Sequence, residues 1–304
     1  MKLFNGDCLK VMADMADNSC DAIVTDPPYY GIKSENWDNQ WANANDYLAW
    51  LEDVTLQWRR ILKPNGSLYC FAWPRMAAKV EIAISHHFNI LNSIVWEKQS
   101  GWHKQSSKES LRAFFPASER IIFAGHFCFL FEPIRAYLAT EWKLAGFKYQ
   151  DANIACGTRN MAGRHYFCQS QWQLPTREHY ESLVTYANSG RPKAYLLKEY
   201  DELHKEYETL RRAFSVTPDI PYTDVWHFDV VSASKTKNHL CEKPQALLQH
   251  ILQVSTKPGA IVLDCFMGGG SMGEACQAMG REFIGIESDT ANFQKAESRL
   301  FSGG

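Results

Sequence analysis

Over its first 127 residues the chain alternates short apolar runs with longer stretches in which apolar positions recur every three or four residues. "KLFNGD" and "DAIVTD" predict two strands, each stopping at an aspartate. "NDYLAWLEDVTLQWRRIL" sets Leu48, Leu51, Val54, Trp58, Ile61 and Leu62 at helical spacing, with Asn45 or Asp46 as the expected N-cap. "KPNGSLYCFAW" predicts a turn and then a strand, "MAAKVEIAISHH" a second helix, and "FNILNSIVWEK" and "ERIIFAGH" two more strands.

The rhythm resumes near the end. "KPQALLQHILQVS" predicts an amphipathic helix, "KPGAIVLDCF" a turn and a buried strand, and "GGGSMGEACQAMG" a glycine loop opening a helix. "REFIGIESD" then predicts a strand ending in acids, and "TANFQKAESRLF" a closing helix. Strands alternating with helices predict an α/β fold with a mainly parallel sheet covered on both faces. Residues 128–225 lack this alternation and read as mostly helical, so they are expected to form an insert within a domain made of 1–127 and 226–304.

Composition narrows the class. In 304 residues, 45% hydrophobic and 13% aromatic content supports a well-filled core. The net charge of −2 excludes a globally basic chain. From Lys98 to Arg212, however, 17 Lys and Arg face 12 Asp and Glu, a local +5, whereas the remainder carries 15 against 22, or −7. The middle of the chain is therefore the part better suited to a polyanion. Nine scattered cysteines without C-x-x-C or zinc spacing predict reduced thiols and no structural metal. The start "MKLFNGDCLK" lacks a signal-peptide core, and no run of about 18 apolar residues occurs, so a soluble cytoplasmic protein is expected.

Two stretches carry chemistry. "IVLDCFMGGGSMGEA" holds G-x-G-x-x-G at Gly268, Gly270 and Gly273, between a predicted strand and helix, and Glu287 follows Gly268 by 287 − 268 = 19 residues. Glycines let a backbone approach a ligand, and an acid after the next strand can take a ribose diol. This suits NAD or S-adenosylmethionine (SAM). Asp264, just before the loop, favours SAM, because a carboxylate there repels a pyrophosphate and attracts an α-ammonium.

The second stretch is "DAIVTDPPYYG", in which a buried strand runs into Asp26, Pro27, Pro28 and Tyr29. Two prolines end the strand because neither supplies a backbone N–H. In a parallel sheet this sets a carboxylate, a rigid carbonyl and an aromatic ring at the carboxyl edge, where α/β sites lie. An exocyclic amine of a base is a poor nucleophile, its lone pair delocalised into the ring. Asp26 and the Pro27 carbonyl can accept its two N–H groups and aim the lone pair at a methyl sulfonium. Tyr29 can stack on a base flipped out of a duplex.

With "DPPY", "FMGGG" and the preceding "HLCEKPQALL", the chain resembles the SAM-dependent amino-methyltransferases of DNA. The DPPY-first, glycine-loop-last order marks their permuted β class, and the resemblance covers 1–127 and 226–304. It implies a permuted Rossmann-like sheet with its two chain ends adjacent. It also implies a catalytic tetrapeptide at Asp26, Pro27, Pro28 and Tyr29. A SAM loop is implied at Asp264, Phe266, Gly268 and Gly270, a ribose acid at Glu287, and an acid near the cofactor's adenine at Asp7. His239, Glu242, Lys243 and Pro244 match a segment flanking the methionine end of SAM, with Lys243 the expected contact. The DPPY spelling goes with adenine N6, and SPPY with cytosine N4. Met272 departs from the family's usual small polar residue.

Within the insert, residues 134–187 resemble a phage-repressor helix-turn-helix, and the "GRHYF…SQWQLP" stretch resembles inserts of phage and prophage methyltransferases. In that layout a first helix ends at Gly146, a second spans about 149–156, and a third follows the turn at Gly157-Thr158. The third would read the major groove through Thr158, Arg159, Asn160, Arg164 and His165, with Met161 and Tyr166 packing. "KEYDELHKEYETLRR" reads as a solvated, ion-paired helix, or as a homodimer contact. The basic segment 100–115 is a candidate substrate clamp, and Trp37 and Trp41 are candidates for a lid.

The expected function is methyl transfer from SAM to adenine N6 of flipped double-stranded DNA by direct in-line attack. Cytosine N4 is the nearest alternative, and a protein glutamine-amide methylase another. A DNA-binding regulator with an inert methylase core is the reading from a different class.

Overall fold

The computed structural model describes residues 1–30, 40–98, 114, 116–127, 129–217, 222–231 and 242–301. They divide into two compact units, Met1–Phe127 with Arg212–Gly304, and Cys128–Arg211. In chain order the elements are β1 (Lys2–Asn5), α1 (Cys8–Ala13), β2 (Cys20–Thr25), α2 (Ala44–Ile61), β3 (Leu62–Ala72), α3 (Ala77–Ser85), β4 (Asn89–Lys98) and β5 (Ser118–Gly125). The second unit holds α4 (Glu132–Leu144), α5 (Asp151–Ala155), α6 (Met161–His165), α7 (Arg177–Asn188) and α8 (Tyr200–Leu210). The first unit continues with β6 (Val225–Phe228), α9 (Gln245–Ser255), β7 (Ile261–Asp264), α10 (Ser271–Ala278), β8 (Glu282–Glu287) and α11 (Thr290–Phe301).

The first unit is a mixed α/β, Rossmann-like domain built on one eight-stranded sheet of order β1-β8-β7-β2-β3-β5-β4-β6. β5 runs antiparallel to both neighbours, and every other pairing is parallel. β2, which leads into Asp26, lies between β3 and β7, so the tetrapeptide and the glycine loop leave adjacent strands at one sheet edge. β1 pairs with β8 in parallel register, Asn5 opposite Glu287.

Side chains alternate across this sheet because the strand repeat is two residues. Ile23, Leu68, Ile122 and Leu263 point to the face covered by α1, α2 and α3, where Met12, Leu51, Trp58 and Ile84 are fully buried. Ala22, Val24, Phe71, Trp96 and Ile121 point to the other face, against Leu248, Ile251, Met272 and Leu300 of α9, α10 and α11. Each such large side chain contributes roughly 1.5–3 kcal/mol over its exposed state.

Several local expectations are corrected. The N-cap of α2 is Asn43, whose Oδ1 accepts from the N–H groups of Asn45 (2.8 Å) and Asp46 (3.1 Å), so the helix begins at Ala44. "KPNG" bulges within β3: Cys20 pairs with Leu62 and Ala22 with Ser67, so five residues oppose two. Gly66 suits that bulge, since an added Cβ would stand 2.9 Å from the Asp21 carbonyl oxygen. α1 and β6 are elements that the sequence pattern had not separated. Residues after Arg211, assigned to the insert as far as 225, return to the sheet domain. There Phe214 stacks on Phe123 with centroids 5.9 Å apart, and Ser215 N–H donates to the Val254 carbonyl at 2.8 Å.

The second unit packs its helices around Ile134, Leu138, Trp142, Phe167, Tyr180, Leu183 and Leu203. Trp142 Nε1–H donates to the Lys148 carbonyl (2.9 Å), which satisfies its one polar atom in that core. No helix among the described residues is long and apolar enough to cross a membrane.

Candidate active site

At the carboxyl edge of β2 and β7 lies a cavity of about 800 Å³. Asp7, Asp26, Pro27, Pro28, Tyr29, Lys243, Asp264, Phe266, Gly268 and Glu287 all line it, so most of the sequence-predicted residues of this domain converge on one space. Gly270 does not line it. With φ +80° it begins α10 in the left-handed region, and an added Cβ would stand 3.1 Å from the Ala296 Cβ. His239, Trp37 and residues 100–113 and 115 lie outside the described residues. Trp41 packs at 4.9 Å from Tyr47 and 4.8 Å from Trp50, inside an aromatic cluster whose Trp50 reaches Phe266 at 5.6 Å.

At one end of the cavity the glycine loop and two acids form a cradle. Gly268 adopts φ +51°, and its N–H donates to Glu287 Oε2 at 2.9 Å, while Asp289 N–H donates to Oε1 at 2.8 Å. Both oxygens are thereby aimed, each keeping a lone pair for a diol. Burial pushes the Glu287 carboxyl up, against those backbone N–H groups, which pull it down. Asp264 accepts from the Thr25 hydroxyl at 2.7 Å and from Phe266 N–H at 3.1 Å, and burial pushes its pKa up to about 7. Asp7 caps α1 by accepting from Lys10 N–H at 3.0 Å, which holds its carboxylate at the rim. Acids at the tips of β7 and β8 around a glycine loop fit the α-ammonium and ribose of SAM.

In the same cavity Asp26 sits in a network of charges. Its Oδ1 accepts from the Tyr29 hydroxyl at 2.6 Å, and its Oδ2 from Lys243 Nζ, also at 2.6 Å. Lys243 lies 3.3 Å from Glu119 Oε2, and Glu119 Oε1 accepts from Lys98. Burial disfavours the Glu119 carboxylate, but Lys243 and Lys98 outweigh it and hold its pKa below the usual value. The Lys243 ammonium also stands over the rings of Phe71 (5.0 Å) and Tyr29 (5.8 Å). Met272, 2% exposed, packs with the α9–α10 core.

Glu119, Lys98 and Thr25 were not singled out from sequence. A signal existed: Glu119 continues the face of Ile121 and Phe123, and Lys98 that of Ile94 and Trp96, so period-2 alternation aims both ions inward. Arg299 ties the cavity wall together, donating to Glu242 at 2.7 Å and to the Gly269 carbonyl at 3.3 Å.

In the second unit, Arg159, Asn160 and Arg164 are exposed. Thr158, expected to be an exposed reader, is half-buried instead. Its hydroxyl donates to Asn153 Oδ1 at 3.0 Å and accepts from Ala162 N–H at 3.3 Å, closing the α5–α6 turn. His165 Nδ1 lies 2.6 Å from the Gln171 carbonyl. Met161, expected to pack, is at the surface, because Ala162 and Gly163 form the buried side of α6, whereas Tyr166 is buried. α5 and α6 are five residues each, so the third helix is little more than one turn.

No group of three or more His, Cys, Asp or Glu residues suited to a metal ion occurs among the described residues. A Rossmann-like sheet with a glycine loop and acids at the tips of β2, β7 and β8 in one cavity fits a SAM-dependent methyltransferase. The DNA methylase family model of the N6/N4 type matches residues 20–298, and the chain belongs to that family. It is 24% identical to the DNA adenine methyltransferase YhdJ of Escherichia coli (strain K12) over 98% of this chain and 82% of the relative. It is 23% identical to the type II methyltransferase M.HpaI of Haemophilus parainfluenzae over 99% and 74%. Among solved structures, the M1.HpyAVI–SAM complex shares the fold at TM-score 0.53 and 19% identity, covering 98% of this chain and 99% of that one. The cytosine-N4-specific PvuII DNA methyltransferase does so at 0.58 and 13%, covering 99% and 86%.

Proposed function

We propose that this DNA methyltransferase modifies the N6 amino group of adenine, with Asp26, Pro27, Pro28 and Tyr29 as its catalytic tetrapeptide. The observation that carries the reading is Asp26 at the tip of β2, in one cavity with the acids and glycines that suit SAM. The aspartate spelling of the tetrapeptide and the adenine specificity named for YhdJ favour adenine over cytosine. β1 beside β8, and the tetrapeptide strand preceding the glycine-loop strand, support membership in the permuted β class.

When bound, SAM supplies an electrophilic methyl that passes in line to the amine. Asp264 pairs with its α-ammonium, Glu287 takes the ribose hydroxyls, and Phe266 and Asp7 flank the adenine. Lys243, expected to contact the methionine end, lines that cavity while paired with Asp26. Each Asp26 oxygen keeps a lone pair beyond its bond to Tyr29 or Lys243, so the carboxylate can accept one amine N–H. The Pro27 carbonyl accepts the other. Two acceptors draw electron density onto the nitrogen and orient its lone pair. Asp26 then takes the proton that the alkylated nitrogen sheds. Tyr29, its hydroxyl committed to Asp26, offers a ring face to the flipped base. Arg159, Asn160 and Arg164 of the helical unit contact the DNA, with Thr158 and His165 shaping the turn that presents them.

Incubation with tritiated SAM and unmethylated DNA, followed by nucleoside analysis, tests the reading. Label in N6-methyladenosine is expected. Label in N4-methylcytosine reassigns the base, and DNA binding without any label replaces the enzyme with a regulator.

A further inference from the structure

We infer that Glu119 is a positioning residue for methyl transfer, holding Lys243 and, through Lys243, the carboxylate of Asp26. The inference rests on the catalytic reading of Asp26 given above. Glu119 enters the cavity from β5, and its side chain is only 9% exposed. An ammonium carries three N–H donors on a flexible four-carbon stem, so one partner leaves its direction loose. Lys243 has two carboxylates within ion-pair distance, Asp26 at 2.6 Å and Glu119 at 3.3 Å, which restrict where its head can sit. Tyr29 approaches both acids as well, 2.6 Å from Asp26 and 3.5 Å from Glu119.

The consequence is a carboxylate held from both oxygens. Asp26 Oδ2 is fixed by Lys243 and Oδ1 by Tyr29, and both holders converge on Glu119. Lys98 completes the charge balance, two carboxylates against two ammonium groups. Glu119 thus acts on Asp26 at one remove. When a substrate N–H comes to Asp26 and competes for Oδ2, Glu119 is the anion toward which Lys243 yields without leaving a buried charge unpaired.

Single-turnover rates, with KM for SAM and for DNA, should be measured for E119Q, E119D, the double variant K98M/E119Q, and D26N. E119Q is expected to slow methyl transfer about 10- to 100-fold, the scale of small misplacements of reacting groups. Both KM values should stay within about threefold, because a displaced Asp26 impairs the reaction rather than binding. E119D, which keeps the charge, should recover part of the rate. The double variant leaves no orphaned ammonium at position 98, so it should fold with E119Q's defect intact. A double variant restored to the wild-type rate would overturn the inference, since Glu119 would then serve only Lys98. Raised KM with unchanged rate would overturn it too. If D26N turns over normally, the catalytic reading itself fails. If D26N is inactive and every Glu119 variant keeps the wild-type rate, the inference alone fails.

Discussion

Lys243 and Asp26 are 217 residues apart in sequence, yet the Lys243 ammonium lies 2.6 Å from Asp26 Oδ2. The pair joins the segment that opens α9 to the tip of β2, so the lysine expected beside the cofactor reaches the acid proposed to grip the substrate.

Asp26→Ala should lower turnover by at least about a thousandfold, through loss of both proton acceptance and lone-pair orientation. SAM binding should remain measurable by calorimetry, since Asp264 and Glu287 are untouched. The fold should hold because Lys243 keeps Glu119 as a partner.

SAM affinity should depend on pH through Asp264. Burial pushes this carboxyl from 3.8 to about 7, so near neutrality it is partly protonated, and a cation at this site expels the proton. Affinity should therefore rise as pH passes upward through 7, then fall above about pH 8 as the α-ammonium itself deprotonates. Calorimetry in buffers of different ionisation enthalpy would register the released proton, and Asp264→Asn should remove the rising limb.

The same shift has a sign for stability. The folded state keeps a proton on Asp264 that the unfolded chain releases near pH 4, so this group weakens folding progressively from about pH 4 to pH 7. Asp264→Asn should raise the melting temperature at pH 8 and leave it nearly unchanged at pH 4. Equal shifts at both pH values would contradict the assignment.

Gly163→Ala should destabilise the helical unit by about 1–3 kcal/mol, as overpacking does. The new Cβ would stand 2.5 Å from the Tyr149 carbonyl oxygen, a backbone atom that cannot rotate away. Denaturant unfolding of the variant measures the loss.

Arg159→Ala and Arg164→Ala should weaken DNA binding across sequences and reduce the salt dependence by about one ion for each phosphate no longer neutralised. Binding titrations at several salt concentrations would show this. Unchanged affinity would remove this face of α6 from the DNA interface.

Much of the catalytic domain was legible in the sequence because its signals are local. Glycines that need positive φ, prolines that stop β2, and acids at strand tips announce themselves within a few residues. The Lys243–Glu119–Lys98 network was not legible, because it depends on which strands become neighbours. β5 is inserted antiparallel between β3 and β4, and that order brings Glu119 to the cavity. The exposure of Met161 escapes the sequence pattern for a similar reason: a five-residue helix has too few positions to show which side its neighbours will bury.

β2 also has consequences for the order of events in folding. It occupies the middle of the sheet, yet one of its flanking strands, β7, is synthesised more than two hundred residues later, and the Thr25–Asp264 hydrogen bond spans 239 positions. A nascent chain emerging from the ribosome can pair β2 with β3 but leaves its other edge open until the glycine-loop segment arrives. The central seam, and with it the competence to bind cofactor, is therefore a late product of translation, and the long sequence separation across that closure makes it slow.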